Sequence, residues 1–315
     1  MQSLKRVLMY GIFLTLTLFL MMPVWASGVF IVEINGKTSD FEIKRDKKSI
    51  KFAHYTRLQV GDQVRVLTRT NDPHSGKFEG EPYFITLSIN GKPKKLTQQN
   101  PDYQVTKYDI VMPGGVPTGI MNVVSGWFKR LWKYDVVMVQ LKTKAPKKGQ
   151  LAMPLLEGVN VNLIAGERPL YLGWYQGKPP YNVKVFCKDR FCKKGPFFEK
   201  TVQNNEVALK IRPFWAGQRY EVVVSDAEGT VIKSAFTVVA KTQSVLSKSE
   251  AQNIVKSNFS PKEKKTLLAA WLASKGQEWK LEAYQQVANA TRETNASAFL
   301  LKQGLKAGIT ATSKK

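Results

Sequence analysis

The chain has 315 residues, 43% of them apolar and 11% aromatic, with 48 Lys and Arg against 24 Asp and Glu. That apolar share excludes a disordered chain, and the length is more than one small core fills. Two Cys exclude a disulfide-rich scaffold, and two His exclude a His-rich metal site.

The first 26 residues follow the layout of an export signal. Lys5 and Arg6 precede the uncharged run Val7 to Met22, Pro23 breaks it, and Val24-Trp25-Ala26 offers permissive residues before a cut after Ala26. The competing reading is an uncleaved anchor, because the run approaches the length of a membrane span. Cleavage leaves 46 basic and 24 acidic residues, a net +22. The excess is spread over the whole chain, whereas a nucleic-acid binder concentrates it on one stripe or tail. An exported basic protein meets anionic envelope polymers or lipid headgroups, and the bland alternative is solubility alone.

Residues 27–144 read as β. Val29 to Ile34 ends at Asn35-Gly36, a hairpin signal, and Phe41-Glu-Ile43 follows with alternation. Arg57 to Val66 alternates around a Gly61-Asp62 turn, Tyr83 to Ile89 runs into Asn90-Gly91, and Tyr103-Gln-Val105 lies beyond. The Arg57-Leu-Gln-Val-Gly-Asp-Gln-Val64 run, the strand at 83–89 and the Leu96…Tyr103-Gln-Val105 ending resemble the FecR-type periplasmic β-domain over residues 28–110. That resemblance implies a non-enzymatic signalling or envelope-interaction module, with binding and no chemistry.

Within this region, Ile120, Met121, Val123, Val124, Trp127, Phe128, Leu131 and Trp132 recur at helical spacing between Pro117 and Lys133. They occupy one arc, and Asn122, Ser125, Lys129, Arg130 and Lys133 fill the other. Such a helix can lie in a membrane interface, which makes Trp127, Phe128, Lys129, Arg130, Trp132 and Lys133 candidate interface residues. The same stripe also suits a helix packed over the β-domain, the commoner fate. Lys142 to Gly149, with four lysines and a proline, is a solvated joint and a domain boundary.

Residues 150–241 carry strand patterns at Val159–Leu163, Leu170–Trp174, Asn182–Phe186, Val207–Ile211, Tyr220–Val224 and Val231–Val238. Short alternating strands at this spacing predict a two-sheet sandwich. The succession Leu170-Tyr-Leu-Gly-Trp174, Tyr181-Asn-Val-Lys-Val185, Leu209-Lys-Ile211 and Tyr220-Glu-Val-Val-Val224 resembles an immunoglobulin-like or fibronectin type III-like domain. The resemblance implies that Trp174 and Tyr220 are core residues. Tyr171, Tyr175 and Trp215 are less constrained and could stack a ligand. Cys187 and Cys192 bracket four residues, a spacing that suits a loop disulfide in an oxidising compartment and not a redox Cys-x-x-Cys.

Residues 247–308 switch to helical periodicity. Ser260-Pro-Lys-Glu263 supplies an N-cap, a first-position proline and a capping box for a helix over Pro261–Ser274. Further helices follow over Trp279–Thr291 and Asn295–Lys306, and Trp279-Lys-Leu-Glu-Ala-Tyr-Gln resembles tetratricopeptide-type helices. No Gly-x-Ser-x-Gly, Walker or His-Glu-x-x-His pattern occurs. His54 and His74 read as a satisfied core or surface residue and a turn residue, and Glu79 and Glu81 share a Gly/Pro-rich loop. The sequence therefore predicts a mainly β, exported and non-enzymatic chain, with no catalytic residue, metal or cofactor and no evident small-molecule substrate. It points to an envelope protein as partner, or to an anionic polymer or lipid surface, and away from nucleic acid.

Overall fold

The computed structural model of the chain describes residues 25–26, 29–67, 83–89, 92–106, 109, 116–133, 151–158, 160–190, 192, 194–291 and 294–309. Residues 1–24, His74 and its neighbours, Glu79, Glu81, the Asn90-Gly91 pair and residues 142–149 lie outside them.

The fold is mainly β with a helical C-terminal segment, as the patterning predicts. Two four-stranded antiparallel sheets form the first unit. One has the order β5-β2-β7-β8, from β2 (Val29–Asn35), β5 (Arg57–Leu58), β7 (Phe84–Ile89) and β8 (Lys92–Thr97). The other has the order β4-β3-β6-β9, from β3 (Phe41–Arg45), β4 (Lys48–Ser49), β6 (Gln63–Val66) and β9 (Asp102–Gln104). Ile31, Ile43, Val64, Ile85 and Leu87 fill the space between them. The Asn35-Gly36 pair does not close a hairpin, because β2 and β3 belong to different sheets. The chain turns a corner there instead. Gly36 takes a φ of +139° at which a β-carbon would stand 2.9 Å from the Tyr83 ring, so only glycine fits.

A short pair, β1 (Trp25–Ala26) with β10 (Val116–Pro117), precedes helix α1 (Thr118–Lys133). The second unit packs a five-stranded sheet against a two-stranded ribbon. The sheet has the order β11-β17-β16-β13-β14, from β11 (Asn162–Ile164), β13 (Tyr181–Cys187), β14 (Phe198–Val202), β16 (Arg219–Ser225) and β17 (Val231–Val239). The ribbon pairs β12 (Gly166–Gly173) with β15 (Glu206–Phe214). Inward Leu170, Leu172, Val183, Val185, Val222 and Val224 make its core, as expected for facing sheets with a period of two.

The tail contributes α2 (Ser249–Lys256), α3 (Pro261–Ser274), α4 (Lys280–Val287) and α5 (Ala296–Lys306). The capping box forms as spelled: Ser260 accepts from the Glu263 N–H, and the Glu263 carboxylate accepts from the Ser260 N–H. These helices and α1 share one apolar cluster, which reaches Phe30 and Val32 on the outer face of the β2 sheet and Ile164 of the second unit. The β2 sheet is thus covered on both faces. Among the described residues no helix is long and apolar enough to cross a membrane.

Candidate functional site

The α1 arc faces inward except at Val123, which is 45% exposed. Ile120, Met121, Val124, Trp127, Phe128 and Leu131 are all buried, Trp127 at 1% exposure and Phe128 at 0%. Their spacing of three and four residues gives one face of the helix. That face meets Trp271, Leu301 and Leu305 of the tail in the shared cluster, and the Phe128 ring lies 5.2 Å from both His54 and Tyr55. The core reading of the stripe therefore needs one amendment: the helix packs into the C-terminal helices as well as onto the first unit. Trp127 and Phe128 offer no surface to a membrane. Lys129 is exposed, Arg130 is half-buried, and the side chains of Trp132 and Lys133 lie outside the described residues. Close approach is set by Gly304 of α5, where a β-carbon would overlap Leu131 Cδ2 and lie 3.4 Å from Trp127 Cζ3.

Where the tail meets the first unit, a polar seam runs beside the apolar packing. The Ser297 hydroxyl donates to the Val32 carbonyl, so its oxygen accepts from His54 Nδ1. Burial drives the His54 pKa down to about 4, because a charged imidazolium there would lose its water. His54 is thereby a neutral strut. Glu33 accepts from the Ala296 N–H at 3.2 Å and from Thr86 at 3.3 Å, an acid at the start of α5, where the helix dipole favours it. Glu263, beside Glu33, is pushed up in pKa by its burial.

The seam with the second unit is likewise hydrogen-bonded. Buried Glu282 accepts from the Ile164 N–H and from Arg168, each at 3.1 Å. The Gln285 amide accepts from the Tyr171 N–H at 2.9 Å and donates to its carbonyl at 2.8 Å, which mimics one residue of a neighbouring strand. Glu206 on β15 meets Lys302 at 3.1 Å and Lys306 at 3.7 Å. Burial lowers the Lys306 pKa. Gly173 lets α4 and α5 approach: a β-carbon there would stand 2.9 Å from the Tyr284 hydroxyl.

Cys187 and Cys192 are bonded to each other with Cα atoms 5.8 Å apart, in agreement with the loop spacing. Asp189 lies within their ligand-distance group, but thiols joined to one another supply no thiolate pair to a metal, and Asp189 already accepts from the Arg219 N–H at 3.0 Å. Trp174 and Tyr220 are fully buried. The Trp174 ring meets Tyr181 edge-on at 5.2 Å, and Tyr220 stacks on Phe236 at 5.3 Å.

The most exposed large apolar side chains of the described residues are Trp215 at 64% and Ile211 at 61%. Both follow from a bulge. Arg168 pairs with Arg212 and Leu170 with Leu209, so Pro169 alone faces Lys210 and Ile211. Proline has no N–H for the ladder, and a bulge absorbs the mismatch. Beyond it the alternation resumes with Phe214 buried, Pro213 exposed and Trp215 exposed. Sequence reading noted Trp215 as unconstrained but missed the bulge, for which Pro169 opposite an apolar strand was the available signal.

No family model matches the chain, and no curated protein is significantly similar to it.

Proposed function

We propose that the chain is an exported, non-catalytic binding or assembly module of the bacterial cell envelope, with a FecR-like first unit, an immunoglobulin-like second unit and a helical tail. The observation that carries this reading is how its polar groups are used. Buried His54 and Glu282 and half-exposed Glu206 each tie the tail to a β-unit. The two most exposed large apolar groups among the described residues, Ile211 and Trp215, lie four positions apart in the second sandwich. Such an arrangement supports a binding surface over a reaction centre. The Val24-Trp25-Ala26 cut site and the Cys187–Cys192 bond support export.

The test is fractionation of the expressed chain followed by N-terminal sequencing and retention assays on envelope extract. The expected result is a periplasmic chain beginning at Ser27 that retains an envelope protein at moderate salt. Recovery of Met1 from a membrane fraction would overturn export. The second reading, an anionic polymer or lipid surface, keeps the basic charge, including exposed Lys92, Lys94 and Lys95 on β8, but its apolar anchor is buried in α1. Retention lost steeply between low and moderate ionic strength would favour it.

A further inference from the structure

We infer that one end of the second unit docks on an anionic phospholipid surface, with Trp215 as the side chain that enters the headgroup layer. The inference rests on the binding-module reading above and names a membrane face of the envelope as what is bound.

Three turns make this end. β15 passes into β16 through residues 215–218, β13 into β14 through 188–197, and β11 into β12 at Ala165. Gly217, Gly195 and Gly166 lie at these turns with positive φ, and a β-carbon on any of them would meet nothing within 4 Å. The tail reaches the flank of this unit, at Ile164, Tyr171 and Glu206. Among the described residues the end itself stays open.

Trp215 is the most exposed large apolar side chain of the described residues, at 64%. A single exposed apolar residue needs no explanation by itself, but this one stands on a fixed backbone. Its N–H donates to Gln218 Oε1 at 3.4 Å, and its carbonyl accepts from the Gln218 N–H at 3.2 Å. The hydroxyl of core residue Tyr220 donates to the same Gln218 oxygen at 2.7 Å, and the Gly217 N–H donates to the Val238 carbonyl at 2.8 Å. Docking through so rigid a turn costs little ordering entropy. An indole has an apolar body and one N–H donor, and so settles at the boundary between hydrocarbon and water.

The charge around it has the sign that anionic lipid selects. The Lys188 N–H donates to the Arg219 carbonyl at 2.8 Å and the Arg219 N–H to Asp189 at 3.0 Å, so the Cys187–Cys192 loop is tied to the Trp215 turn. Lys188, Arg190, Lys194 and Arg219 are exposed on these two segments. Their acidic neighbours are engaged, Asp189 by that N–H and Glu221 by Lys188 at 2.9 Å. Exposed Glu167, at the start of β12, offsets one cation. Charge alone would suit any polyanion. An indole projecting among cations suits a surface with an apolar layer behind its phosphates. Trp215 thus supplies the apolar anchor that the buried α1 arc does not.

The test is co-sedimentation of the purified exported chain with vesicles of equimolar phosphatidylglycerol and phosphatidylcholine. Vesicles of phosphatidylcholine alone and soluble polyphosphate are the controls. The mixed vesicles should bind saturably, and phosphatidylcholine alone at least about tenfold more weakly. Trp215→Ser should weaken binding to the mixed vesicles by about tenfold, with polyphosphate binding and the Tm unchanged, since the side chain is exposed. Brominated acyl chains should quench part of the wild-type tryptophan fluorescence, and that part should vanish in Trp215→Ser. Lys194→Ser with Arg219→Ser should cost roughly fivefold per charge, whereas Lys47→Ser with Lys48→Ser, exposed on the first unit, should change binding by less than about twofold. Absence of saturable vesicle binding would overturn the inference, as would binding that ignores Trp215→Ser. Equal losses from the two double variants would also overturn it, by making diffuse charge the cause. The two readings fail separately. An envelope protein retained by a chain that ignores vesicles defeats the membrane docking and leaves the binding module standing. A chain that binds neither defeats the module itself.

Discussion

Replacing Trp127 with Ala tests whether α1 is an internal element. A buried Trp side chain removes roughly 150–250 Å² from water, which at about 25 cal/mol per Å² is worth some 4–6 kcal/mol as an upper bound. Alanine keeps a little of that area, and partial collapse of the cavity relieves some of the rest, so the expected loss is about 3–5 kcal/mol. Relaxation has little room here, because Gly304 and Leu131 already bring two helix backbones together at this point. Urea unfolding followed by far-UV circular dichroism reads the loss as a lower midpoint with an unchanged slope. Trp127→Phe supplies the internal control. Among the described residues the indole Nε1 has no hydrogen-bond partner, so phenylalanine forfeits only part of the area and no such bond, and should cost about 1 kcal/mol. A Trp127→Ala protein within about 0.5 kcal/mol of wild type would refute the packing argument and return the arc to a surface role.

Three further predictions concern the seams. His54, lowered from 6.5 to about 4 in the folded chain, binds fewer protons than in the unfolded chain, so its contribution is full above the unfolded pKa and declines as pH falls from about 6.5 to 4, by roughly 3 kcal/mol. Glu263, raised by burial, acts in the opposite sense over the acidic part of that window; denaturant midpoints from pH 7 to 5 should fall in wild type and flatten in His54→Gln, and an unchanged slope in that variant would discard the strut. Glu282→Ala strands half-buried Arg168 and the Ile164 N–H and should cost about 3 kcal/mol, whereas Glu199→Ala at the exposed Lys184 pair should leave the midpoint nearly unchanged; equal midpoints for the two variants would contradict this. Gly304→Val forces a branched side chain into Leu131 and should lower stability by about 2–3 kcal/mol, despite valine's better helix propensity than glycine; a stabilised variant in thermal melts would show that the helices are not in contact there.

The parts of this fold legible in the sequence are those set by local rules. Alternation marked β3, β6, β13 and β16 because each has one buried face. The Ser260 box and Asn295 marked helix starts, and both side chains accept capping bonds. β8 and β14 escaped notice because edge strands exposed over most of their length read Lys-Pro-Lys-Lys-Leu-Thr, with only Leu96 buried, and Phe-Glu-Lys-Thr-Val, without alternation. The α1 stripe was visible, but its partner was not, since an amphipathic arc looks the same whether it meets lipid or a helix more than 130 residues further along the chain.

Helix α5 shows why the seams in particular resist sequence reading. Ser297, Lys302, Gly304 and Lys306 have the polarity of a solvated face, yet all four are buried. Ser297 and Gly304, seven residues apart, lie on the same side of the helix and meet Val32 and Leu131. Lys302 and Lys306, four apart on another side, meet Glu206 of the second unit. A helix buried all round is usually apolar all round. This one is not, because on two sides it faces strands whose carbonyl and carboxylate groups take donors from it, and an apolar side chain there would remove the Ser297 donor from Val32 O or the lysine partners from Glu206. The polar residues of α5 are therefore the condition for its burial. For the same reason one eleven-residue helix can join two β-units that share no sheet.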